Sequence, residues 1–212
     1  MQEEEQGKKG IVNTASLVLS GVFSPLLVPT YACAIALWIT RLSILPERTR
    51  FLLSLIVFMV TAVVPMAVII LMMRMGKVSD TAISDRKQRG IPFIVTALCY
   101  LGVFFFMRQI HAPHWLSMFF LGAFASTAAA MLINLFWKIS AHGMVMGGLC
   151  ALVLFIAYKG LGTVWMLPWI TAAVLLAGAV GSARLYLGRH TPGQVYAGLL
   201  LGLGLVTLVV LA

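Results

Sequence analysis

Runs of about 20 predominantly apolar residues recur along almost the whole of this 212-residue chain. At a rise of ~1.5 Å per residue, a helix of that length crosses a hydrocarbon core ~30 Å thick. Hydrophobic residues make up 61% of the chain and charged residues only 10%, far outside the range of soluble globular domains. No polar block is large enough to fold separately. The expected fold class is all-α: a polytopic transmembrane helical bundle of six to seven spans. The runs place spans at about 25–44, 50–74, 91–110, 115–137, 143–158, 164–187 and 194–212. Asn13, Thr14 and Ser16 interrupt the apolar residues before Ser24-Pro25, which predicts a short interfacial helix over 11–20. Residues 1–24 are thus read as a tail with an interfacial helix, and 25–212 as a single transmembrane domain.

The N-terminus carries Glu3, Glu4 and Glu5 ahead of Lys8 and Lys9, which is not the charge order of a secretory signal, so the first span is expected to be retained. Cys33, Cys99 and Cys150 are odd in number and sit inside apolar runs; they read as small buried hydrophobes rather than a disulfide or metal set. The formal charge of +9 is spread over short loops. That pattern argues against nucleic acid and makes anionic lipid the expected partner.

Span parity brings three distant segments to one membrane face. The loop at 75–90, the junction at 138–142 and the loop at 188–193 are each two crossings apart, so they can share one interfacial pocket. A raw count of ten cations on that face against five on the other would make it cytoplasmic. Cations that bind a phosphate would be needed in either compartment, so the count leaves orientation open.

Each of these segments puts polar groups next to a helix start. Gly188 can end one helix in a left-handed cap, and Thr191-Pro192-Gly193-Gln194 reads as a capping box, which holds His190 just before a helix N-terminus. Exposed N–H groups and the positive dipole end favour an anion there. Arg184 offers a planar fork to phosphate oxygens or, alternatively, satisfies the last carbonyls of its own helix. Ser140-Ala141-His142-Gly143 repeats the arrangement, with Ser140 as a cap and anion ligand. Pro92, with Arg86 and Arg89 upstream, does so a third time. This chemistry suits phosphoryl transfer in which one histidine attacks phosphorus and another protonates the leaving oxygen. Only Asp80 and Asp85 supply carboxylates in these loops, too few for a paired-acid, two-metal site; no metal and no cofactor are expected.

Arg184-x5-His190 preceded by Ser182, Ser140-Ala141-His142, and the upstream Arg86-Lys87-Gln88-Arg89-Gly90-Ile91-Pro92 together resemble the type-2 phosphatidic acid phosphatases, membrane relatives of the vanadium haloperoxidases. The resemblance covers about residues 77–200 in the family's motif order. It implies a phosphatase/haloperoxidase-like core in which His190 is the nucleophile that forms a phosphohistidine and His142 the general acid. Arg184, Ser140, Arg89, Arg86 and Lys77 become candidate phosphate ligands, and Gln194 the group that orients His190. The chain departs from the family's pattern at several positions. Arg89 stands two residues short of Pro92, Ile139 replaces a proline, Ala141 a glycine, and Ala183 separates Ser182 from Arg184. Gln194 occupies a position where an acid is expected, and an amide accepts from the ring N–H without offering negative charge.

The resemblance implies an integral-membrane lipid phosphate or diphosphate phosphatase in a bacterial inner membrane, with an extracytoplasmic site. A lipid phosphotransferase using the same intermediate and a non-catalytic lipid-phosphate binder or transporter are the alternatives. Membrane lipids are the expected partners. Gly198-x3-Gly202 permits close helix packing, either within the chain or between two copies in a homodimer.

Overall fold

A computed structural model describes residues 2–80, 83 and 85–212, with side chains from Gly10 onward. Met1 and the side chains of Glu3–Glu5, Lys8 and Lys9 lie outside the described residues. The helices are α1 (Gln2–Val22), α2 (Val28–Ile39), α3 (Glu47–Phe58), α4 (Val64–Arg74), α5 (Gly90–Gln109), α6 (His114–Phe136), α7 (Ala141–Tyr158), α8 (Leu167–Tyr186) and α9 (Pro192–Leu211). A π-helical turn over Met59–Val63 joins α3 to α4 in one continuous rod. Among the described residues, that rod and α5 to α9 are the six helices long and apolar enough to cross a membrane. No strands occur among the described residues, so the all-α reading holds.

The expected span at 25–44 is corrected. Only the 12 residues Val28–Ile39 form an α-helix there; 25–27 are turn, and a short 3₁₀ segment, Arg41–Ile44, follows. Hydropathy counts linker and helix alike, and Ser24-Pro25 and Thr40 break the run at its two ends. α2 is also less lipid-facing than its composition suggests: Val28, Ala32, Cys33, Ala36 and Leu37 are all buried in the main core. The segment read as an interfacial helix over 11–20 belongs to the longer α1, which packs on α8.

The centre of the bundle is the α7–α9 pair, and glycine is why it can be so close. A β-carbon at Gly143 would lie 2.7 Å from the carbonyl oxygen of Val195. One at Gly147, Gly198 or Gly202 would collide with the carbonyl oxygens of Leu199, Ser140 and Met144 respectively. Two small-x3-small ridges, 143/147 and 198/202, therefore bring backbone against backbone within the chain. Around this pair, α7 is almost wholly enclosed, and Met146, Leu152 and Ile156 are fully buried. Cys33, Cys99 and Cys150 are buried free thiols.

Candidate active site

The starts of α5 and α7, the end of α8 and the loop that leads into α9 surround one cavity of about 710 Å³. Its lining includes Ile83 and Arg89 from the first loop, Ala141 and His142 from the second, and Arg184, Leu187, Arg189 and His190 from the third. The segments that parity assigns to one face do meet. His111 and His114, at the other end of α5 and α6, do not line the cavity.

The start of α9 is built by local sequence. Gly188 takes φ 62°, and the N–H groups of Leu187 and Arg189 bond back to the Ala183 and Arg184 carbonyls, closing α8. Thr191 and Gln194 then form the capping box. Gln194 Oε1 accepts from the Thr191 N–H at 3.3 Å and from His190 Nδ1–H at 3.0 Å, so one amide both caps the helix and fixes the imidazole. Nε2 of His190 is left as the nitrogen with a lone pair. Burial, together with the charges of Arg89, Arg184 and Lys138, outweighs the Gln194 bond and lowers the His190 pKa to about 4. The ring is neutral at pH 7.

α7 starts from the other side. Ser140 is fully buried; its Oγ accepts from the Gly143 N–H at 3.2 Å, and its own N–H donates to the Gln194 carbonyl at 3.1 Å. This bond ties the two helix starts that carry His142 and His190. Ser140 does not itself line the cavity. Its position is that of the cap expected for α7.

The arginines divide. Arg184 is 6% exposed, lines the cavity, and keeps a buried Nε with no hydrogen-bond partner, which leaves donors of its fork available to an anion. Arg89 is buried and also lines the cavity; its Nε donates to Ile83 O at 2.8 Å and one Nη to Ile139 O at 3.1 Å, leaving its other Nη. Arg86 and Lys77 do not line the cavity. Arg86 donates to the Leu135 carbonyl at 3.2 Å and receives Asn134 on its own carbonyl at 3.0 Å, so it fastens the start of α5 to the end of α6. Lys77 is exposed. Asp85, the obvious substitute for the missing acid, instead caps the 3₁₀ turn Arg86–Arg89 by accepting from Lys87 N at 2.9 Å.

Sequence reasoning overlooked two cations. Lys138 is half-buried, and burial plus the charges of Arg89, Arg184 and Arg189 lower its pKa, which marks it as a member of the same cluster. Arg189 lines the cavity beside His190. Their signal was adjacency to the two histidine motifs, obscured because loop cations of a membrane protein are ordinarily read as topology determinants. Among the described residues no group of three or more His, Cys, Asp or Glu is placed to hold a metal ion.

Residues 134–212, from the end of α6 to the C-terminus, match the family model of the PAP2 superfamily. This C-terminal stretch is similar to a PAP2 domain. It contains both histidines, Arg184 and the α7–α9 pair, and is consistent with a member of the type-2 phosphatidic acid phosphatase family. The basic run Arg86–Pro92 lies outside the match. No curated protein and no solved structure matches the chain. A PAP2 domain suggests phosphatase activity, and six long apolar helices fit an integral membrane protein.

Proposed function

We propose that the chain is an integral-membrane phosphatase of lipid phosphates or diphosphates, working without a metal through a phosphohistidine. The observation that carries this reading is the state of His190: Nδ1–H is held by Gln194, the ring is neutral to about pH 4, and it lines one cavity with His142, Arg184 and Arg89. Nε2 of His190 attacks phosphorus, the bond from phosphorus to the leaving oxygen breaks with its electron pair, and His142 protonates that oxygen. Water, giving its proton to His142, then attacks the phosphohistidine; the P–N bond breaks and inorganic phosphate leaves. Arg184 and Arg89 neutralise the phosphoryl oxygens, with Lys138 and Arg189 adding charge at the rim.

A lipid carrier is favoured by the rest of the wall. Beside the cations the cavity is lined by Leu17, Leu26, Phe58, Val63, Met66 and Ile70, which accept an apolar tail and confer no chemical selectivity among tails. The resemblance to type-2 phosphatidic acid phosphatases favours a bacterial plasma membrane and an extracytoplasmic cavity.

The test is hydrolysis in chelator of phosphatidic acid, phosphatidylglycerol phosphate, a polyprenyl diphosphate and a lipid A phosphate, with wild type set against His190→Ala. Wild type should release phosphate from at least one, be inhibited by vanadate and yield an acid-labile phosphoenzyme. Equal turnover by His190→Ala would refute the assignment.

A further inference from the structure

One wall of the cavity lies outside the PAP2 match. α1 ends against it: Leu17, Ser20 and Gly21 line the cavity, and Ser16 and Ser20, one turn apart, are each 7% exposed on a helix that packs on α8. The last four carbonyls of a helix lack intrahelical donors and must find others. In α1 they do so one by one. Leu19 O accepts from Phe23 N at 3.0 Å, Gly21 O from Ser24 N at 3.2 Å and Val22 O from Tyr31 Oη at 3.1 Å. The remaining one, Ser20 O, is 3.0 Å from Nε2 of His142, across 122 residues of sequence.

A carbonyl oxygen only accepts, so this contact requires the proton on Nε2. That consumes the nitrogen on the α1 side and leaves Nδ1 for whatever occupies the cavity. The tautomer of a histidine is set by the bond its other nitrogen makes.

We propose that the C-terminal turn of α1 is a positioning element of the reaction, with the Ser20 carbonyl holding His142 Nε2–H so that Nδ1 is the atom that delivers and receives the catalytic proton. The proposal rests on the phosphatase reading for its chemistry. A phosphate ester bound as its monoanion gives its proton to Nδ1, which passes it to the leaving oxygen as the P–O bond breaks; in the second step bare Nδ1 takes a proton from the attacking water and returns it to the departing phosphate. Nε2–H stays on Ser20 O throughout, so the ring shuttles a proton without turning over. α1 thereby becomes part of the site although it contributes no group that touches phosphorus.

The experiment displaces α1 without altering Ser20 or His142. Ser16→Leu places a bulky side chain on the buried face one turn away and pushes the helix off α8. Phosphoenzyme formation is followed in single turnover, in full-length protein, with two soluble monoesters. Dodecyl phosphate leaves as an alkoxide that needs a proton, whereas p-nitrophenyl phosphate leaves as a phenolate that does not. The variant should form phosphoenzyme from dodecyl phosphate roughly 10²-fold more slowly, and from p-nitrophenyl phosphate within about threefold of the parent rate. Equal slowing with both esters indicates general structural damage and overturns the proposal, as does no change with either. The ring ¹⁵N spectrum of His142 gives a readout independent of turnover: the parent should show the Nε2–H tautomer, and Ser16→Leu should lose it. A parent that forms no phosphoenzyme refutes the phosphatase reading, and the spectrum then decides the contact by itself. An Nδ1–H tautomer in the parent overturns it.

Discussion

Replacing Gly202 by alanine should cripple the site from a position that touches no substrate. The new methyl would fall on the carbonyl oxygen of Met144 and 3.1 Å from the Gly148 nitrogen, both backbone atoms of α7 that cannot rotate away. Restoring ordinary contact requires α7 and α9 to separate by roughly 1 Å, an overpacking cost of about 1–3 kcal/mol. Alanine's better helix propensity returns at most ~1 kcal/mol. Stability therefore falls modestly, but Met144 is two residues beyond His142, so the same opening draws His142 away from His190. A misplacement of that size costs on the order of 10²-fold in kcat. The control is Gly204→Ala on the same helix, where an added β-carbon meets nothing within 4 Å. The assay is phosphate release from a saturating lipid substrate, alongside Tm in the same detergent. Gly202→Ala should lose about 10²-fold in kcat with a lower Tm, while Gly204→Ala keeps kcat and an equal or higher Tm. Parental kcat and Tm in Gly202→Ala would refute the idea that backbone contact between α7 and α9 sets the distance between the two imidazoles.

With the His190 pKa lowered to about 4, phosphoenzyme formation should lose rate on the acid side only as pH falls toward 4. Gln194→Glu puts a negative charge on Nδ1–H, favours imidazolium, and should move that acid limb upward by about one unit or more in a single-turnover pH profile. Arg184→Lys keeps the charge but loses the planar fork, so kcat/KM should fall roughly 10²-fold in steady-state kinetics, with little change in Tm. Lys138→Met should raise KM several-fold and weaken the salt dependence of kcat/KM, since it removes a half-buried charge from the rim. Turnover should persist in chelator at the parental rate, measured against a magnesium-supplemented control.

What was legible in the sequence is what local chemistry encodes. The capping box at Thr191 and Gln194, the cap at Ser140 and the glycine exit from α8 each need only a few adjacent residues. The six long helices among the described residues end within a few residues of the expected boundaries because polarity changes sharply there. Side-chain direction over long separations was not legible. Arg86 and Arg89 are three residues apart on one 3₁₀ turn, yet one fastens to Leu135 and the other reaches inward to Ile139. The bond between Ser20 and His142 has no sequence signature, because any residue supplies a carbonyl. Hydropathy likewise registers neither the π turn at Met59–Val63 nor the difference between α2 and a full span.

That short α2 has a bearing on the surrounding bilayer. Its far end is pinned to the connection between α7 and α8, with Thr163 N donating to Ile39 O at 2.8 Å, while Pro25, before its near end, receives the hydroxyl of Tyr100 halfway along α5. Twelve residues reach only ~18 Å of a ~30 Å hydrocarbon slab. The turn at 23–27 therefore sits well beneath the lipid headgroups, and Ser24, Pro25, Leu26 and Leu27 form part of the cavity wall at that depth. A cavity wall set at that depth makes the mismatch on this side depend on membrane thickness. Reconstitution into progressively longer-chain lipids would alter how far a phosphate headgroup has to descend to reach the imidazoles, and membrane composition becomes a control on turnover that acts without any ligand.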